Sequence, residues 1–189
     1  MKSFLRLLAA GLFLLLLVAG VIFYRGGNQL EYRAETLIHN TSLKNVMDHL
    51  SQPELVKLWA EGVAEIRLQK DLESEIGATG TLTVVDPDGG ARELQNQVLA
   101  ASDTSLTVLT SGKEFEACSI WKLTPSGNDV QVRQLMLGTY KGFSRLEAPF
   151  YRDSVERQMQ SDLQRLTSLI ELGPNVSQPV DPEGGPADE

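Results

Sequence analysis

Two short amphipathic helices follow one another with no loop between them, set among strand-like segments, and this pair constrains the fold more than any other feature. Asn40-Thr41-Ser42 supplies a helix cap, and Leu43, Val46, Met47 and Leu50 then recur at helical spacing. Ser51-Gln52-Pro53 ends that helix and begins the next, because proline suits a first turn. Leu55, Val56, Leu58 and Trp59 form the second apolar side, and Glu61-Gly62 closes it.

The segments around the pair alternate with a period of two. Glu31 to His39 reads as a first strand. After the helices come Val63 to Gln69, Thr79 to Val85, Ala91 to Ala101, Ser105 to Ser111, Glu114 to Leu123 and Val130 to Lys141. Most connections are turns, such as Asp86-Pro87-Asp88-Gly89-Gly90, Ser102-Asp103, Ser111-Gly112-Lys113 and Pro125-Ser126-Gly127-Asn128. Lys70 to Ala78 is a longer link with no assignment. Short turns between successive strands predict an antiparallel meander. Phe115, Ala117, Ser119, Trp121 and Leu123 fall on one face of their strand.

After Gly142 the period changes. Val155, Met159, Leu163, Leu166 and Ile170 make a helical stripe, with Arg152/Glu156 and Asp153/Arg157 pairs beside it. The spacing predicts a helix from about Leu146 to Leu172, with Gly173-Pro174 as its stop; Pro149 belongs in a first turn, which allows a start a few residues later. The expected fold is therefore α+β: a curved antiparallel sheet of about seven strands, two short helices and a long C-terminal helix. Residues 1–25 read as an anchor or signal segment, 26–30 as a linker, 31–172 as the folded domain and 173–189 as an acidic, disordered tail.

The formal net charge is -8, even with Lys2 and Arg6 ahead of the apolar N-terminal run. So acidic a body excludes nucleic acid as an expected partner, since that affinity comes from neutralising phosphates with Lys and Arg. Cys118 is the single cysteine, which excludes an intramolecular disulfide and cysteine-rich zinc sites. Flanked by Ala117 and Ser119 in a strand, it reads as a structural thiol.

Leu7 to Tyr24 carries no charge. As a helix rising about 1.5 Å per residue it reaches ~27 Å, close to the ~30 Å hydrocarbon core of a bilayer. Lys2 and Arg6 before it favour a cytoplasmic N-terminus and a translocated body. A cleavable signal peptide is the competing reading, with Val18-Ala19-Gly20 as its cleavage site, but the apolar run continues through Val21 to Tyr24. Length favours the uncleaved anchor. The expected location is the cell membrane, single-pass, with the body outside the cytoplasm.

Several stretches carry a family likeness: Val46 and Leu50, Pro53-Glu54-Leu55 through Trp59 and Val63, Trp121-Lys122-Leu123-Thr124-Pro125 before a glycine turn, and Asp162-Leu163-Gln164-Arg165-Leu166. In their order along the chain they resemble the START-like, or SRPBCC, superfamily with its helix-grip fold, and within it the polyketide cyclase or dehydrase branch. The resemblance spans about Glu31 to Leu172. It implies a cavity between sheet and helix that takes a hydrophobic small molecule or lipid. It does not imply one activity, because such a fold hosts many.

No catalytic constellation emerges. His39 and His49, the only histidines, match no metal-ligand spacing and read as surface or capping residues. Glu114 with Glu116, and Glu65 with Arg67, read as solvated strand faces. No phosphate-cradling glycine motif occurs, and neither metal nor cofactor is expected. Asn40-Thr41-Ser42 and Asn175-Val176-Ser177 match the glycosylation pattern, which is too short to carry weight. The candidate ligand-binding set is Trp59, Phe115, Ala117, Trp121, Met136, Phe150 and Met159, joined by Tyr151, and ordinary core packing is the competing account of each. Three functions stay open: binding of an apolar molecule at a membrane, a cyclase or dehydratase reaction, and a ligand-free envelope scaffold.

Overall fold

The computed structural model describes residue 20 and residues 29–68, 76–86 and 89–173. The apolar run before Tyr24, most of the Lys70 to Ala78 link and the acidic tail lie outside the described residues. No helix among those described is long and apolar enough to cross a membrane.

Strand β1 (Gln29–Ile38) leads into helices α1 (Leu43–Ser51) and α2 (Pro53–Trp59). Strands β2 (Val63–Leu68), β3 (Thr79–Val85), β4 (Ala91–Ser102), β5 (Ser105–Ser111), β6 (Phe115–Ser126) and β7 (Asp129–Tyr140) follow. The α+β architecture expected from the periodicities is present; β6 runs on to Ser126 through residues expected in a turn, and the ends of the domain differ most. β1 begins inside the stretch read as linker, because Gln29 and Leu30 pair with Thr139 and Gly138. The single helix expected from Leu146 to Leu172 is divided into α3 (Ser144–Glu147), a 3₁₀ turn (Ala148–Tyr151) and α4 (Arg152–Leu172). Pro149 is the physical reason: it has no N–H to donate, and its ring obstructs the preceding helical turn.

All neighbouring strands are antiparallel, in the order β1-β7-β6-β5-β4-β3-β2. Consecutive hairpins account for β2 to β7, as short turns dictate. The pairing of β1 with β7 is non-local and puts the first strand at one edge, leaving the intervening helices to cross to the far edge, where β2 lies. The sidedness follows from register. Tyr32, Ala34 and Ile38 of β1, Val130 and Val132 of β7, and Trp121 and Leu123 of β6 are buried on one face. That face meets α4 through Met159, Leu163, Leu166 and Leu169.

Local chemistry fixes the helix starts and stops. Ser42 Oγ accepts the Asn45 N–H at 3.2 Å, an N-cap on α1. Gln52 is extended, so α1 and α2 meet at a sharp corner with Pro53 opening the second helix. Gly173 ends α4 with φ of 78°, a conformation that glycine adopts without steric cost.

Candidate functional site

The concave face is filled unevenly. Under α4 it is solid: Tyr32, Leu163, Leu166, Val130 and Val132 are fully buried. Tyr32 and Tyr140 join their hydroxyls at 2.7 Å across this half. Burial, with the Tyr140 hydrogen bond as a second cause, raises the Tyr32 pKa well above the ordinary tyrosine value. Gly138 makes room for the two rings: a Cβ there would lie 3.0 Å from Tyr140 Cε2 and 3.2 Å from Tyr32 Cε2.

Towards the other edge the face is not filled. Between α2 and the strands β2 to β6 lies a cavity of about 290 Å³. Its roof is Pro53, Val56, Trp59 and Ala60, and its floor includes Ile66, Leu82, Val98, Val108 and Trp121. The two tryptophans meet edge to face, with ring centroids 5.8 Å apart and planes at 81°. Trp59 is held by its indole N–H, which donates to the His49 carbonyl at 2.9 Å. An aromatic wall fixed at its polar end in this way keeps its shape when nothing fills the space beside it.

A few polar groups enter this apolar space. Thr110 Oγ1 donates to Asn96 Oδ1 at 2.7 Å across β4 and β5. Ser119 and Gln134 also line it. Asp162 of α4 closes one side, where its Oδ1 accepts the Glu61 N–H at 3.0 Å and the Gln158 amide at 3.1 Å. Arg165 stands 3.4 Å from the same oxygen and pairs with Glu61. Burial nevertheless dominates and raises the Asp162 pKa, against the pull of the Glu61 N–H and the Arg165 charge. Glu61, at the surface, moves the other way, held low by Gln158 and Arg165.

Of the residues picked out by sequence, only Trp59 and Trp121 line this cavity. Met159 belongs to the filled core under α4, and Met136 packs against that core. Ala117 is buried between Thr110 and Gly138, its strand partners, one step along the face from the cavity floor. Phe115 stands beyond it at the start of β6, its ring against Gly112. Phe150 and Tyr151 are corrections to the expected lining: they are 87% and 57% exposed. Pro149 turns the chain there, so both lie on the 3₁₀ turn before α4 rather than under it. The floor residues Leu82, Val98 and Val108 were missed. Strand alternation marks them as one-sided, but only the register brings them together.

The histidines stand apart from the cavity. His39 Nδ1 meets Asp129 Oδ2 at 3.1 Å at the end of β1, and His49 Nδ1 meets the Asn45 carbonyl at 2.8 Å on α1. No group of three or more His, Cys, Asp or Glu among the described residues is arranged to hold a metal ion. A wider dent of about 630 Å³ lies on the outer face beside Arg33, Glu35, Lys122 and Arg133. Its charged, exposed lining and the Arg133–Glu35 pair at 3.2 Å mark it as solvated surface, less suited to a ligand than the more apolar space under α2.

No protein-family model matches the sequence, and no curated protein is detectably similar to it. Solved structures are similar in fold. The di-domain ARO/CYC StfQ from the steffimycin biosynthetic pathway superposes with a TM-score of 0.64 at 13% identity over 78% of this chain. The match covers 52% of StfQ, so the chain spans about half the length of that protein. Ara h 8.0201 superposes with a TM-score of 0.60 at 14% identity, covering 75% of this chain and 97% of that one. TTHA0849 from Thermus thermophilus gives 0.60 at 16% identity, with 75% and 97% covered. Identities this low speak to architecture and not to chemistry. A seven-stranded antiparallel sheet closed on one side by a long C-terminal helix, with a helix pair after the first strand, is a helix-grip fold, the architecture the chain shares with these structures.

Proposed function

We propose that this protein binds a small hydrophobic molecule or lipid in the cavity beneath α2, while its N-terminal apolar segment anchors it in the cell membrane with the body outside the cytoplasm. The observation that carries the binding reading is an apolar space of about 290 Å³ walled by a fixed tryptophan pair. That volume is at the small end of the ~300–1,000 Å³ typical of ligand pockets. A few polar groups among apolar walls suit a ligand that is mainly hydrocarbon with one polar end. The anchor reading rests on Lys2 and Arg6 before the uncharged Leu7 to Tyr24.

Solvent extraction of the purified full chain, followed by mass spectrometry, tests the binding reading. A stoichiometric apolar compound is expected, together with saturable uptake of a fluorescent fatty acid. An empty extract and no saturable uptake would leave the scaffold reading in its place.

One observation favours a second reading, an enzyme of the cyclase or dehydratase kind. Asp162 brings a carboxyl of raised pKa to the cavity, and its described hydrogen bonds all fall on Oδ1. A carboxyl poised in that way can lend or take a proton. Asp162→Asn separates the two: a binding protein retains its uptake of the fluorescent probe, whereas an enzyme releases its compound unconverted.

A further inference from the structure

Phe143 and Phe150 are the most exposed large apolar side chains among the described residues, at 84% and 87%, and Tyr151 adds a third exposed ring. All three belong to one connection, from the end of β7 through α3 and the 3₁₀ turn. Scattered apolar side chains on a surface need no explanation, whereas aromatic rings gathered on one connection do.

Their place in the fold says what covers them. The end of β7 pairs with the start of β1, Gln29 opposite Thr139, so Phe143 follows closely after the point where the chain enters the domain. The start of α4 is tied to the same end, because Arg152 Nη2 donates to the Glu31 carbonyl at 3.3 Å. Upstream, only Arg25, Gly26, Gly27 and Asn28 separate Tyr24 from Gln29. Four residues span at most about 14 Å when fully extended. A chain anchored through Leu7 to Tyr24 therefore holds this end of the domain, and not the end with the β4–β5 turn, close to the bilayer.

We infer that Phe143, Phe150 and Tyr151 form a membrane-docking rim that enters the interfacial layer of the bilayer holding the N-terminal segment. The inference rests on the anchor reading above. Tyr151 suits that layer, its ring meeting lipid and its hydroxyl meeting water, and the wholly apolar rings of Phe143 and Phe150 gain by leaving water for it. The charges along this connection are mixed: Lys141, which pairs with Glu116, Arg145 and Arg152 alternate with Glu147 and Asp153. With an acidic body behind them, they do not call for anionic lipid. The occupant is the apolar interface of a neutral bilayer.

The test uses the full chain reconstituted into phosphatidylcholine vesicles, with Cys118→Ser to remove the native thiol. Phe150→Cys, or Asp103→Cys at the far β4–β5 turn, then carries an environment-sensitive fluorophore. Spin labels on the lipid, placed just below the head groups, should quench the label at position 150 and leave that at 103 unquenched. Equal quenching at the two positions in chains that float with the vesicles would overturn the rim and leave the anchor standing. A label at 150 that is shielded from water yet unquenched by lipid would mean that a second copy or another protein covers the rim, which also overturns it. Chains that fail to float with the vesicles would overturn anchor and rim together.

Discussion

The two halves of the concave face are made of the same kinds of residue, yet one is solid and the other hollow. Under α4, the large central side chains are enclosed: Leu163 and Leu166 are fully buried in one cluster with Tyr32, Val130 and Val132. Under α2, the strands offer residues as apolar, among them Leu82, Val98 and Val108, but these remain only partly buried beside the cavity. The difference is in the cover. A helix of 21 residues blankets β1 and its neighbours, while one of 7 residues must roof the rest. Hollowness here comes from the length of the roof more than from the character of the floor.

The largest expected effect is on stability and bears on the filled half. Leu163→Ala should cost ~2–5 kcal/mol, the range for a buried leucine whose surroundings cannot collapse. Leu82→Ala, beside the cavity, should cost only about 1 kcal/mol, since a half-buried side chain surrenders roughly half its transfer free energy. Urea unfolding of both variants checks this, and equal costs would break the contrast.

Gly138→Ala should cost about 1–3 kcal/mol, because a methyl group there presses on both rings of the Tyr32–Tyr140 pair. Thermal melts would register it. A neutral result would mean that the filled half has more give than its packing indicates.

Ser119→Phe sharpens the comparison from the hollow side. The new ring enters space the fold leaves open, so uptake of the fluorescent fatty acid should be lost with a stability change below about 1 kcal/mol. Ala117→Phe, aimed at the packed site between Thr110 and Gly138, should instead cost about 1–3 kcal/mol. If Ser119→Phe binds the probe as wild type does, the cavity is not the binding site.

The smallest effect concerns pH. The Asp162 pKa in the folded protein is raised above its ordinary value of 3.8, so the folded state holds its proton more tightly than the unfolded chain does. Its stabilising contribution is present below that value and is lost as the pH rises through the folded pKa. Asp162→Asn, which cannot ionise, should therefore gain stability relative to wild type as the pH rises above 3.8. Urea midpoints across that range would check the sign, and a gap that narrows with rising pH would contradict it.

Much of the fold is legible in the sequence. Ser42, Pro53 and the apolar spacing around them mark the helix pair, and the turn residues mark the hairpins. The shift of period after Gly142 marks the final helix. Pro149 marks a later start for that helix, but the sequence pattern does not show that the turn before it leaves Phe150 outside. The cavity is less legible. Trp59 and Trp121, which line it, stand out in the sequence as large aromatic residues, while the aliphatic floor does not, because one half-buried valine looks like another.

The sequence by itself determined which face of each strand and helix is apolar, where the chain turns, and how acidic the surface is, because those depend on residues a few positions apart. Tertiary structure decided that β1 closes on β7, that α4 covers one half of the sheet, and that Met159 enters the core while Phe150 stays in the open. These outcomes depend on long-range pairing, in which the register of one strand against another selects which apolar faces meet and which are left to enclose a space.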